Sequence, residues 1–112
     1  LDNSLHKGNI WENFVFTELV KYNLIPGKNI FYYRDQNGVE IDFILEKDSK
    51  TWLIEAKSSE KPNPKKLNFK KIAPFFEGEL QSLLACNIPD KGMYELKDYS
   101  VYNPLYGYDF NY

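Results

Sequence analysis

The sequence predicts a small α/β domain with a central mixed sheet of about four strands flanked by helices. Three observations point there. A stretch near the start has helical spacing, with Ile10, Phe14 and Thr17 on one stripe and Trp11, Val15 and Leu19 on the next. Three short β-prone runs follow, separated by tight turns. A further apolar run at residues 80–86 lies beyond a lysine-rich segment.

Residues 1–8 read as a polar lead-in, with Asn9 as the N-cap of the first helix and Pro26-Gly27 as its stop. The first strand is expected at residues 30–34. The turn Asp35-Gln36-Asn37-Gly38 comes next, because Asn-Gly tolerates the positive φ that a hairpin turn needs. In the second strand Val39, Ile41, Phe43 and Leu45 alternate onto one face. Lys47-Asp48-Ser49-Lys50 forms another turn before the third strand at residues 51–57. Connections this short join antiparallel neighbours, so the three strands form a meander. A helix after Pro64 would lead to a fourth strand at residues 80–86, parallel to the third. The tail, residues 93–112, is rich in tyrosine and is expected to pack against the sheet or against the rest of a longer chain.

The bulk numbers set limits. At 112 residues the chain is a single domain, able to bury roughly 65% of the surface its unfolded form exposes. The lone cysteine, Cys86, can form neither an internal disulfide nor a zinc cluster, which suits a reducing cytoplasmic compartment. No apolar run approaches the ~20 residues of a membrane helix. The chain reads as a fragment of a longer protein. Its net charge of −2 argues against a general polyanion binder, so contact with nucleic acid would need a local basic patch. Lys61, Lys65, Lys66, Lys70 and Lys71 are the candidates, set against the plainer reading of a solvated face.

Three charged residues stand where a strand should be packing. Glu55 and Lys57 are two apart and so project from the same face, about 7 Å apart. Asp42 points away from Ile41 and Phe43 and meets them from the adjacent strand. Burying carboxylates costs several kcal/mol unless they are paired or bind a metal. Two carboxylates, Asp42 and Glu55, could hold Mg²⁺ or Mn²⁺, which activates a water and stabilises phosphate charge. Lys57 could orient that water or stabilise the transition state. Glu12 on the first helix could add a third carboxylate. It would also sit at N3 behind an Asn9 cap, where it could close a capping box. Asp42 as an edge-strand charge, with Glu55 and Lys57 on an exposed strand face, is the bland reading of the same residues.

At these residues the chain resembles a known family. Glu12-Asn13-Phe14-Val15 with Glu18-Leu19, then Tyr33-Arg34-Asp35 and Asn37-Gly38-Val39-Glu40-Ile41-Asp42-Phe43, then Ile54-Glu55-Ala56-Lys57-Ser58-Ser59 look like the C-terminal domain of unknown function attached to bacterial and archaeal AAA-type ATPases. That domain is similar to the PD-(D/E)xK restriction-endonuclease-like superfamily, whose core runs αβββαβ. The resemblance implies that Asp42 and Glu55 are the metal ligands, Lys57 the lysine and Glu12 the helix glutamate, with Glu40 beside the site. Ile41 stands where the superfamily name has proline, and Ala56 where this family usually has valine. The expected function is metal-dependent hydrolysis of DNA phosphodiesters, coupled to an AAA-type ATPase on the same chain. The alternatives are a catalytically inactive DNA-binding or regulatory module, and a scaffold that docks onto the ATPase through the tyrosine-rich tail.

Overall fold

The computed structural model describes residues 3–22, 24–58, 67–89, 93–108 and 110, with side chains from residue 9 onward. Helix α1 spans Asn3–Val20. It begins well before Asn9, so Asn9 is an interior residue, Glu12 is not at N3, and the capping box falls away. Gly8 and Asn9 are poor helix formers, but their penalty of at most about 1 kcal/mol each does not outweigh an unbroken hydrogen-bonded helix. Of the two apolar stripes only one is a core stripe. Val15 and Leu19 are fully buried with Trp11 packed beside them, whereas Ile10 and Thr17 face water.

Strands β1 (Ile30–Arg34), β2 (Glu40–Lys47) and β3 (Lys50–Lys57) form the expected antiparallel meander. Its two turns follow local chemistry. Asp35 accepts the backbone N–H groups of Asn37 and Val39 at 2.9 and 3.1 Å, and Gly38 takes a φ of +81°. Between β2 and β3 only Asp48 and Ser49 intervene, with φ of +52° and +68°. A two-residue hairpin of this twist demands the left-handed region at both positions.

One irregularity in β2 matters. Phe31 pairs with Ile44 and Tyr33 with Ile41, so Asp42 and Phe43 together oppose the single residue Tyr32. This β-bulge reverses the phase of the strand. The expected single face of Val39, Ile41, Phe43 and Leu45 is therefore split. Phe43 and Leu45 join the cluster under α1, while Ile41 packs on the opposite side with Ile44, Leu53 and the packed-on Val39.

The lysine-rich segment leads to helix α2 (Phe69–Ile72), a single turn that passes into a 3₁₀ turn at Ala73–Phe75. Pro74 lacks the N–H that would extend the helix. Strand β4 (Glu79–Cys86) then pairs parallel with β3 along its whole length, as expected of a crossover connection. Two further short strands, β5 (Tyr94–Glu95) and β6 (Ser100–Tyr102), bring the sheet among the described residues to six rather than about four, in the order β1-β2-β3-β4-β6-β5. Runs of two and three residues are too short to carry a readable alternation. Among the described residues no helix is long and apolar enough to cross a membrane.

Much of the tail belongs to the core. Phe110 is buried, meeting Trp52 edge-on at 5.6 Å and Tyr22 at 5.1 Å, and Tyr102 is buried beside Tyr108. Tyr108 donates to Gln81, while its own N–H donates to Tyr22 Oη. Tyr94 and Tyr106 stay exposed. Cys86 is a fully buried thiol.

Two stability outcomes follow from this packing. Phe110→Ala should cost about 3–5 kcal/mol in urea unfolding, because it opens a cavity over Trp52. A loss below about 1 kcal/mol would mean that the tail does not close the core. Ser49→Gly should gain about 1 kcal/mol by relieving a left-handed non-glycine residue, and a loss of stability would contradict the turn geometry.

Candidate functional site

The site lies where β2 and β3 part. Their paired residues run from Lys47↔Lys50 to Phe43↔Ile54, yet both strands continue to Glu40 and Lys57. Just beyond the last pair, the Ala56 N–H donates to Asp42 Oδ2 at 2.7 Å. The bulge at Asp42–Phe43 thus replaces a backbone acceptor with a carboxylate, and that hydrogen bond fixes its position. Phe43↔Ile54 is the last pair, and Asp42 and Glu55 are the next residues along their two strands.

Glu55 follows Leu53 by two positions, and Leu53 packs against Phe69 and Ile72. Glu55 therefore points toward α2. It is only 3% exposed. The Asn68 N–H donates to its Oε2 at 3.1 Å, and Asn68 Nδ2 donates to the Glu40 carbonyl at 3.0 Å. Asn68 precedes α2, but its side chain does not cap that helix. It ties the crossover segment to β2 and places an amide on Glu55.

Helix α1 is anchored nearby by Trp11, whose indole Nε1 donates to the Ala85 carbonyl at 3.0 Å. The next residue, Glu12, reaches toward the same cluster. Burial raises its pKa first, and the charges of Asp42 and Glu40 raise it further, against Lys57 and Arg34. Asp42 is raised by burial and by Glu40, opposed by the Ala56 hydrogen bond and Lys57. Glu55 is pushed up to about 7, chiefly by burial, with Asp42 and Glu40 adding to it while Asn68 and Lys57 oppose it.

Asp42, Glu40 and Lys57 thus act on both Glu12 and Glu55, whereas Glu12 and Glu55 do not act on each other and, of the two, Arg34 acts on Glu12 alone. Arg34 Nε pairs with Glu40 at 2.9 Å across the hairpin. Among the described residues Lys57 forms no ion pair with a carboxylate. No group of three or more His, Cys, Asp or Glu side chains among the described residues assembles into a cation-binding set.

The expected basic patch is reached only in part. Lys61, Lys65 and Lys66 lie outside the described residues. Lys70 is exposed and pairs with Asp98 at 3.1 Å, and Lys71 is exposed on α2. Sequence reasoning missed Asn68, and it named Arg34 only within the family resemblance, with no role. Asn68 stands directly before an apolar residue, as helix caps do, so its sequence context suggests a cap rather than a clamp. Arg34 could have been found as the residue facing Glu40 across the Asp35–Gly38 turn.

The raised Glu55 carries a pH consequence. A carboxyl whose folded pKa lies above its unfolded value favours the fold fully below about 4.5, and that contribution is lost as pH rises through about 7. The shift corresponds to at most about 3 kcal/mol. In metal-free buffer Glu55→Gln should therefore be more stable than wild type at pH 8, by up to about 3 kcal/mol, with the difference shrinking toward pH 4.5. Urea titrations at the two pH values would show it, and an equal difference at both would contradict the burial account.

Residues 7–101 match the family described as Domain of unknown function (DUF4143), and the chain belongs to that family. No curated protein and no solved structure matches it.

Proposed function

We propose that this DUF4143 member is a metal-dependent nuclease domain of the PD-(D/E)xK kind, with a restriction-endonuclease-like core, that hydrolyses DNA phosphodiesters and works with an AAA-type ATPase on the same polypeptide. The observation that supports the proposal is the parting of β2 and β3 at Asp42, whose carboxylate takes the Ala56 N–H, with Glu55 and Lys57 on the adjoining end of β3. The element order α1-β1-β2-β3-α2-β4 is compatible with an αβββαβ core.

The residues present fit a hard divalent cation. Each of the two carboxylates is oriented by a backbone amide, from Ala56 to Asp42 and from Asn68 to Glu55. An oxygen pair of this kind suits Mg²⁺ or Mn²⁺, which keep several waters and need few protein ligands. When bound, the ion would lower the pKa of a water and stabilise charge on phosphate oxygens. Asp42 and Glu55 would hold it, and Lys57 would donate hydrogen bonds to the attacking water or to a phosphate oxygen, offsetting negative charge that grows in the transition state. Glu12 and Glu40 add negative potential that favours a divalent cation over a monovalent one.

A second reading is favoured by one specific observation. With no third acidic, His or Cys ligand assembled among the described residues, the cluster could serve a non-catalytic DNA-binding or regulatory module. Metal affinity separates the two readings.

Lys57→Ala should leave Mn²⁺ affinity by calorimetry nearly unchanged but slow cleavage by about 10²-fold or more. Asp42→Ala should abolish metal binding and cleavage together. The assay uses the full-length protein with Mg²⁺ or Mn²⁺ and both linear and branched DNA. Equal rates for wild type and Lys57→Ala, or no metal-dependent cleavage by either, would overturn the nuclease reading in favour of the binding module.

A further inference from the structure

A groove of about 490 Å³ opens beside the acidic cluster, between α1 and the edge strand β1. Ile30 and Phe43, both buried, form its floor. Its walls are aromatic and open to water: Phe16 is 36% exposed, Phe31 38% and Tyr32 77%. Phe16 stacks on Phe43 at 6.1 Å with 22° between the rings, so part of the wall is already flat and firmly seated. Glu12 and Asp42 close one end. Asp42 therefore belongs to the groove and to the cluster at once, because the bulge sets Asp42 and Phe43 side by side opposite Tyr32.

We propose that this groove stacks an unpaired base of a single-stranded or frayed DNA end, setting the adjoining phosphate beside Asp42, the residue that the groove shares with the acidic cluster. The proposal rests on reading that cluster as a phosphodiester site. Flat aromatic walls match the faces of a base and tolerate any sequence, since every base has a π-face. The bases of an intact duplex are stacked inside it and cannot enter, so the occupant must be unpaired. The charged residues lining the groove, Glu12 and Asp42, are both carboxylates, so the groove itself takes the apolar faces of a base and leaves the phosphate outside it. Lys57 and Arg34, which both act on Glu12, stand within electrostatic reach of that same end, where the phosphate would lie. β1 is the edge strand of the sheet among the described residues, and the Pro26–Gly27 segment bridges only its first residue, Ile30.

The test uses a short fluorescein-labelled thymidine oligonucleotide, the same strand with abasic sites, and a blunt hairpin duplex. Anisotropy of each with the full-length protein is read in EDTA and again in Ca²⁺. Tyr32 is so exposed that its loss leaves the core intact. Tyr32→Ala should weaken binding of the base-containing strand about tenfold, with no change for the abasic strand or the duplex, and Tyr32→Phe should bind as wild type does. Equal weakening on the abasic strand, no weakening, a wild-type preference for blunt duplex, or no binding of any of the three would each overturn the proposal. The nuclease reading is judged separately, by Lys57→Ala cleavage and by calorimetry. Base-dependent binding without metal-dependent cleavage would leave a stacking site beside a non-catalytic cluster. Cleavage that ignores Tyr32 would remove the groove's role alone.

Discussion

A hydrogen bond of 2.7 Å from the Ala56 N–H to the Asp42 carboxylate stands at the point where β2 leaves β3, and most of the molecule's chemistry hangs on it. Two strands that separate inside a sheet expose backbone groups that must be satisfied. Here a side chain from a bulge supplies the acceptor. The bulge also turns Phe43 toward α1 and Ile41 toward α2, so one inserted residue seats hydrophobic groups on both faces while it holds a carboxylate between them. Without it Asp42 would follow the plain alternation of β2, and the acidic cluster and the aromatic groove would not share a residue.

Burial then gives the cluster its character. Glu55 sits at the end of a strand whose preceding residues, Trp52, Leu53 and Ile54, are all essentially inaccessible. A carboxylate in that setting resists ionisation, and its one described hydrogen-bond donor, the Asn68 amide, does not overcome the effect of desolvation. Nearby acidic groups push in the same direction, and Lys57 only partly answers them. An arrangement this unfavourable for an isolated negative charge is favourable for whatever positive species can enter.

Local signals made the meander legible. Asn37-Gly38 and the two residues Asp48-Ser49 dictate hairpins from sequence alone, and Glu55 and Lys57 had to share a face once β3 was recognised. The parallel placement of β4 followed from the crossover rule and holds. What escaped depends on tertiary context. No local pattern in Glu40-Ile41-Asp42-Phe43 announces a bulge, because the phase reverses to satisfy packing on both sides of the sheet. The start of α1 was set too late because Gly8-Asn9 looks like a boundary, and continuing the backbone hydrogen bonds outweighed that preference. Asn68 acts on Glu55 only because the crossover returns over the end of β3. The core also extends past the family match at residue 101, since Tyr102 and Phe110 are buried beyond it. The aromatic richness of the tail hinted at this without saying which ring would be enclosed.

The contrast between hairpins on one side of the sheet and a crossover on the other has a kinetic meaning. Pairing β1 with β2 and β2 with β3 closes only short loops, which takes microseconds for isolated hairpins. Docking β4 against β3 requires closure of the whole intervening segment, and such non-local pairing is slower. Asp42, Glu55 and Lys57 all lie on the early-forming meander, whereas Asn68 lies on the late-arriving connection. Glu55 is thus enclosed by partners from both classes of connection, its own strand from the local meander and its Asn68 amide from the non-local crossover, so the burial that raises its pKa depends on the half of the sheet with the greater sequence separation.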